Sequence, residues 1–149
     1  MGYMDNSMAD EWAMRKLAYL YARALDHYEV ELFDEIFTID GTFNEQNART
    51  SMPINAERLR DRCISTMHAV HNQTVIISGN TAEGETYGIA HHVTSGPANT
   101  AVIYDIGMRY LDTFAKVDGV WRIAARRNRR DWAETRSIRI KDEIGRMSA

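Results

Sequence analysis

The stretch YLDTFAKVDGVWRIAAR, Tyr110 to Arg126, holds two strands and the turn between them. Asp118-Gly119 is a pair suited to a two-residue turn, where both positions need positive φ. Its flanks are rich in Tyr, Phe, Val, Trp and Ile, the residues that fit a pleated sheet. The preceding strand extends back to Thr100 and runs to Val117; the following one is VWRIAARRNRR. Working outward, Ser95-Gly96-Pro97 marks a loop, and residues 81–94 alternate as a strand. Met67 to Ser78, MHAVHNQTVIIS, is another strand, closed by Ser78-Gly79-Asn80. Four successive strands with short connections imply an antiparallel sheet.

Upstream of residue 65 the period changes from two to helical. Trp12, Leu17, Leu20, Tyr21, Ala24 and Leu25 recur at helical spacing after an approximate capping signal at Ser7, Asp10 and Glu11. A short helix is expected over 29–37, broken by Gly41, and a short strand over 42–45. Asn55 is expected to cap a third helix, ERLRDRCIS, with Leu59, Cys63 and Ile64 inward. TRSIRIKDEIGRM, residues 135–147, is expected as a last helix. Helices followed by consecutive strands argue α+β: helices packed on one face of a curved, mainly antiparallel sheet, forming a cone-shaped barrel with an open mouth. Such mouths favour pockets.

The chain has 149 residues, enough for one domain with a full core. A net charge of −3 is too mild to imply nucleic acid or a membrane surface as partner. A single cysteine, Cys63, excludes an intramolecular disulfide framework and suits a reducing compartment. The first residues, MGYMDNSMADEW, are polar and acidic, unlike a signal peptide. No apolar run approaches spanning length. These features imply a cytoplasmic protein.

Three polar residues stand out. Asp26 closes the first helix in YARALD, at a helix C-terminus that disfavours negative charge. It either forms part of a site or merely ends the helix. His68 and His71 alternate to opposite faces of their strand, so only one enters a cavity. His71 shares its face with Met67, Ala69, Gln73, Val75 and Ile77; a histidine there is either packed in the core or a catalyst. His92 ends the run Ala82, Gly84, Thr86, Gly88, Ala90. That small-residue stripe is either the contact of a close-packed helix or a cavity floor. Asp26, His71 and His92 also contain the residue types of a two-histidine, one-carboxylate metal site, without any local ligand spacing. The arginines of residues 126–130 alternate to both faces and form no single basic stripe. The outer face carries Tyr87, Ile89 and Val93, apolar groups that imply a homo-oligomer, trimer or dimer.

YARALD, LFDEIFTIDGTF, MHAVHNQTVIISGNTA and the DGVWRI hairpin resemble the SnoaL-like branch of the nuclear transport factor 2-like superfamily, over nearly the whole chain. In arrangement the chain is similar to scytalone dehydratase and hexachlorocyclohexane dehydrochlorinase, cofactor-free lyases with an Asp–His dyad inside the cone. The resemblance puts the dyad on Asp26 and His71, a second catalytic histidine on His92 and a pocket arginine on Arg126. Substrate-pocket positions fall on Tyr21, Glu45 and Tyr110, each differing from the residue of the resembling enzymes. A tyrosine expected before the aspartate is Leu25 here.

The implied function is a dehydratase-like lyase or an isomerase acting on a small cyclic molecule of aromatic or polyketide type, with no cofactor or metal. The alternative is a non-catalytic small-molecule binder or a structural subunit of a ring-hydroxylating oxygenase. In the catalytic reading Asp26 orients His71, His71 removes a carbon-bound proton, and His92 or Arg126 stabilises the oxyanion.

Overall fold

The structure, a computed structural model, describes residues 2–139, with side chains described from Ser7 onward. The first helix, α1, spans Gly2–Asp26. A 3-10 turn at Val30–Leu32 leads into the single-turn α2, Phe33–Ile36, and directly into β1, Phe37–Phe43. β2, Gln46–Asn47, precedes α3, Ala48–Arg62. Four long strands follow: β3 Ser65–Ser78, β4 Thr81–Ser95, β5 Thr100–Val117 and β6 Val120–Arg139. Together with β1 and β2 they form one six-stranded sheet in the order β2-β1-β6-β5-β4-β3. All neighbours are antiparallel except β1 and β6, which run parallel. The helices cover one concave face of the sheet, giving the cone-shaped α+β architecture.

The turn that anchored the sequence reading is where it was expected. Asp118 and Gly119 have φ of 51° and 77°, the left-handed pair that joins β5 to β6 in register. Four other expectations change. α1 starts at Gly2 rather than near residue 8. The expected strand over 42–45 is the end of the longer β1; Asn44 and Glu45 form the turn into β2. α3 begins at Ala48, because the Asn47 side chain, not Asn55, accepts the Thr50 amide at 3.1 Å. Its buried residues are Ala48, Met52 and Ala56; Leu59 packs against the core as expected, whereas Cys63 and Ile64 lie past the helix end. Finally, residues 135–139 continue β6 instead of starting a helix, since they pair with Thr100–Tyr104. The rest of that expected helix lies outside the described residues.

The core lies between α1 and the inner sheet face. Met14, Leu17, Tyr21, Ala24 and Leu25 from α1 meet Phe114, Trp121 and Ile123 from β5 and β6, with Phe33, Ile36 and Phe37 closing one end. The small stripe of β4 fits this packing. A Cβ at Gly84 would lie 2.8 Å from the Phe114 ring and 2.9 Å from Val75 Cγ1. Gly84 therefore serves close packing, while Ala90 and His92, further along the same face, border an opening.

Candidate active site

The opening is a cavity of about 450 Å³ between α1, α3 and the inner face of the sheet. Tyr21 and Leu25 come from α1, Asn55, Arg58 and Arg62 from α3, and His68 from β3. His92, Tyr110, Asn128 and Arg130 complete its polar wall from β4, β5 and β6.

Asp26 pairs with His68, not with His71. The His68 Nδ1–H donates to Asp26 Oδ1 at 2.7 Å. The His68 backbone N–H donates to Oδ2 at 2.9 Å, and the Thr66 hydroxyl donates to Oδ1 at 2.8 Å. Burial opposes the Asp26 charge, but the imidazole, the amide and the hydroxyl outweigh it and hold the carboxyl below its usual range. This explains a carboxylate at the end of α1: its negative charge is met by donors from β3. With Nδ1 bound to Asp26, the cavity-side nitrogen of His68 is Nε2.

His71 lies on the opposite, outer face. Its Nδ1 approaches only the Ala69 carbonyl, at 3.2 Å, and its side chain borders an outer recess with Tyr87 and Trp132. The expectation for His71 fails because the strand alternation is broken. β3 pairs regularly with β4 from Ser65 to Val70, and resumes at Gln73 after a register shift. The extra residue reverses parity. Thus Thr66, His68 and Val70 share the inner face with Gln73, Val75 and Ile77, opposite His92, Ala90, Gly88, Thr86, Gly84 and Ala82. Gln73 confirms its side by donating to buried Thr86 Oγ1 at 3.0 Å. Met67, on the side assigned to the cavity by uniform alternation, is 58% exposed.

His92 sits beside His68, their rings perpendicular with centroids 5.7 Å apart. Its Nδ1–H donates to the Tyr104 carbonyl at 3.2 Å, leaving Nε2 as an acceptor. Burial, then the nearby His68, push its pKa down, so the neutral ring prevails near neutrality. A neutral Nε2 accepts hydrogen bonds, so the expected oxyanion-stabilising role does not suit this tautomer.

Arg126 is one layer behind the wall. It is 1% exposed and makes two 2.7 Å bonds to Asp112. Its guanidinium stacks on both Tyr21 and Tyr110, 4.4 Å from each ring centroid. Burial opposes its charge, yet Asp112 keeps its pKa raised. Arg126 thus holds two cavity tyrosines rather than lining the cavity itself. Burial pushes the Tyr110 phenol up to about 12, so it remains a donor across the physiological range. Burial raises Tyr21 as well. Glu45 is exposed in the β1–β2 turn and is not among the cavity residues.

Sequence reasoning missed His68, Thr66, Asn128 and the arginines of the mouth. The run from Thr66 to His68, facing the small stripe in a hairpin register, was the available signal for the first two. Among the described residues no three His, Cys, Asp or Glu side chains are grouped to hold a metal ion, and the pairing of Asp26, His71 and His92 does not occur. None of the described helices is long and apolar enough to cross a membrane.

The SnoaL-like domain model matches residues 6–127. A candidate scytalone dehydratase from Novosphingobium aromaticivorans superposes with a TM-score of 0.77 at 20% identity, covering 97% of this chain and 99% of that one. Hexachlorocyclohexane dehydrochlorinase LinA-type3 from Novosphingobium barchaimii gives a TM-score of 0.70 at 15% identity, covering 87% and 91%. The beta subunit of a candidate aromatic-ring-hydroxylating dioxygenase from Novosphingobium aromaticivorans gives 0.67 at 15% identity, covering 85% and 92%. At these identities the likeness is one of fold. No curated protein matches the chain.

Proposed function

This chain belongs to the SnoaL-like domain family, and we propose that it is a cofactor-independent lyase of the dehydratase type, acting on a small cyclic molecule. The observation that carries the reading is the Asp26–His68 pair on the wall of the cavity. Asp26 is the positioning residue. It fixes the tautomer that leaves His68 Nε2 as acceptor, and it stabilises the imidazolium formed when that nitrogen takes a proton. The proton comes from a carbon next to a carbonyl. Its electron pair delocalises onto the carbonyl oxygen, toward which the Tyr110 phenol is a suitable donor. As the carbonyl re-forms, the electrons make a carbon–carbon double bond and the β-carbon–oxygen bond breaks. The departing hydroxyl takes the proton back from His68 and leaves as water. His92 Nε2 is placed to accept a hydrogen bond from a substrate hydroxyl. Without a leaving group the same proton transfers give an isomerase. The protein is further proposed to be a homo-oligomer in the cytoplasm, without nucleic-acid or membrane partners.

The test is α-proton exchange in deuterated buffer, followed by NMR with a panel of cyclic ketones and β-hydroxyketones. General base catalysis supplies ~10²–10⁴-fold, so His68→Gln should lose exchange by about that range while remaining folded. His71→Gln should keep its rate within about twofold, as expected for an exposed residue away from chemistry. If His68→Gln retained the rate of the unaltered protein, the dyad would be abandoned. Binding with no exchange by the unaltered protein would leave the non-catalytic binder.

A further inference from the structure

The charge on the cavity wall is one-sided. Arg58, Arg62 and Arg130 line it, and none of its wall residues is Asp or Glu. This is notable in a chain with 21 acidic and 18 basic residues. Asp26, behind His68, has both oxygens engaged by Thr66 and His68. Some arginines of the same elements are neutralised: Arg60 lies near Glu57 and Asp61, Arg129 bonds Asp131, and Arg136 bonds Asp105. Arg122, Arg127 and Arg139, also without an ion pair among the described residues, do not line the cavity. Arg58, Arg62 and Arg130 have no ion-pair partner among the described residues. Arg58 and Arg62 are also four residues apart on α3, a spacing at which like charges weaken a helix. Arg130 approaches from β6, on the far side of the opening, and its charge is felt by His92.

We propose that the cavity takes an anionic ligand, a ring compound bearing a carboxylate, with Arg58, Arg62 and Arg130 gathering the carboxylate at the mouth. The wall then divides into two functions. The arginines hold the charged end, by bonds for which a planar guanidinium suits a carboxylate. Leu25, Ile106 and Met108 surround the ring, and its reacting carbon faces His68. The inference rests on the cavity being the substrate site, but it concerns recognition and not the step at His68.

The experiment uses the full chain and isothermal titration with benzoate, 2-naphthoate and anthracene-2-carboxylate, each beside its neutral amide. Charge-assisted hydrogen bonds exceed neutral ones, and the exposure of all three arginines discounts them, so roughly tenfold tighter binding of a carboxylate than its amide is expected at low salt. That preference should shrink as salt is added, as for any partly screened charge. It should vanish in Arg58→Gln/Arg62→Gln/Arg130→Gln, whose fold is checked by circular dichroism. Should the triple variant not fold, single Arg130→Gln carries the test: it should reduce the preference and raise the His92 pKa measured by NMR. Equal binding of acids and amides, failure of all three carboxylates to bind, or an unchanged preference in the variants overturns the proposal. His68→Gln should lose exchange and keep the preference. A carboxylate preference in a protein without exchange activity would refute the lyase and leave anion recognition standing.

Discussion

His68 and His71 are three residues apart, and their separation across the sheet turns on one irregularity. Uniform alternation made the choice of His71 reasonable, because the later residues Gln73, Val75 and Ile77 do face inward. The register shift after Val70 means that this parity does not extend back to His71. A bulge has no strong signature in HNQT, so the sequence could identify that one histidine of the pair enters the cone but not which. The inward placement of Asp26 and His92 was legible because Asp26 closes α1 and His92 lies on a β4 face that alternates without a break. The environment of His92 gives a pH prediction. Burial and its cationic-capable neighbours His68 and Arg130 lower its pKa, against favourable contributions from the Tyr104 carbonyl and Asp26. The unfolded chain therefore takes this proton first as pH falls below ~6.5. Stability from the neutral ring is present above that value and is lost as pH falls through the lower folded pKa. The urea midpoint should drop between pH 7 and pH 5, and drop less in His92→Asn; an identical pH slope in the variant would refute this. Arg126 gives a second. Removing it leaves Asp112 buried without its partner, so Arg126→Met should cost about 3–5 kcal/mol in urea unfolding. Asp112→Asn combined with Arg126→Met should recover part of that loss; a single variant within 1 kcal/mol of the original, roughly the cost of a surface change, would refute the arrangement.

At the scale of elements, the hairpins were readable and the helix boundaries were not. Turn chemistry is local: Asp118-Gly119 and Ser78-Gly79-Asn80 announce themselves, and the strands between them follow by alternation. α3 was harder because two asparagines, Asn47 and Asn55, are each suitable caps, and Pro53 lies within the helix. The choice between them depends on β2, a two-residue strand with no pattern of its own. β4 combines both readings open to its small stripe. Gly84 is filled by its neighbours, and Ala90 and His92 border free space. Gly84→Ala should thus be destabilising. The added methyl meets Phe114 and Val75 inside a packed core, and overpacking of this kind costs about 1–3 kcal/mol. Ala90→Gly removes a methyl from the cavity wall and should alter ligand affinity more than the denaturation midpoint. Thermal melts of the two variants check the contrast, and a neutral Gly84→Ala would show that the Phe114 ring readily gives way.

On the whole molecule, the helices cover one face of the sheet and leave the other bare. The outer face carries exposed Tyr87, Trp132 and Met67. Ile89 is half-buried there, and with His71, Tyr87 and Trp132 it borders a recess of about 210 Å³. Trp132 lies so close over Gly107 that any side chain at 107 would overlap its ring, so the indole is seated by the sheet rather than free. Arg109 stacks 4.5 Å from the Tyr87 ring centroid and bonds Glu85 and Asp131, which sets charged groups beside the apolar ones. A positioned indole, apolar neighbours and a polar border suit a contact with a second copy of this chain better than contact with water. The face that holds His71 away from the cavity is thus the face we propose for assembly. Sedimentation at micromolar concentration should give a dimer or trimer of the 17.1 kDa chain. Tyr87→Asp combined with Trp132→Asp should yield the monomer, because unpaired carboxylates at the centre of an apolar contact are costly to bury. The same double variant leaves Asp26, His68 and the cavity wall untouched, so a folded monomer should keep ligand binding. A monomer before any substitution would rule out this face as the contact, and an unchanged oligomer after both would place the contact elsewhere.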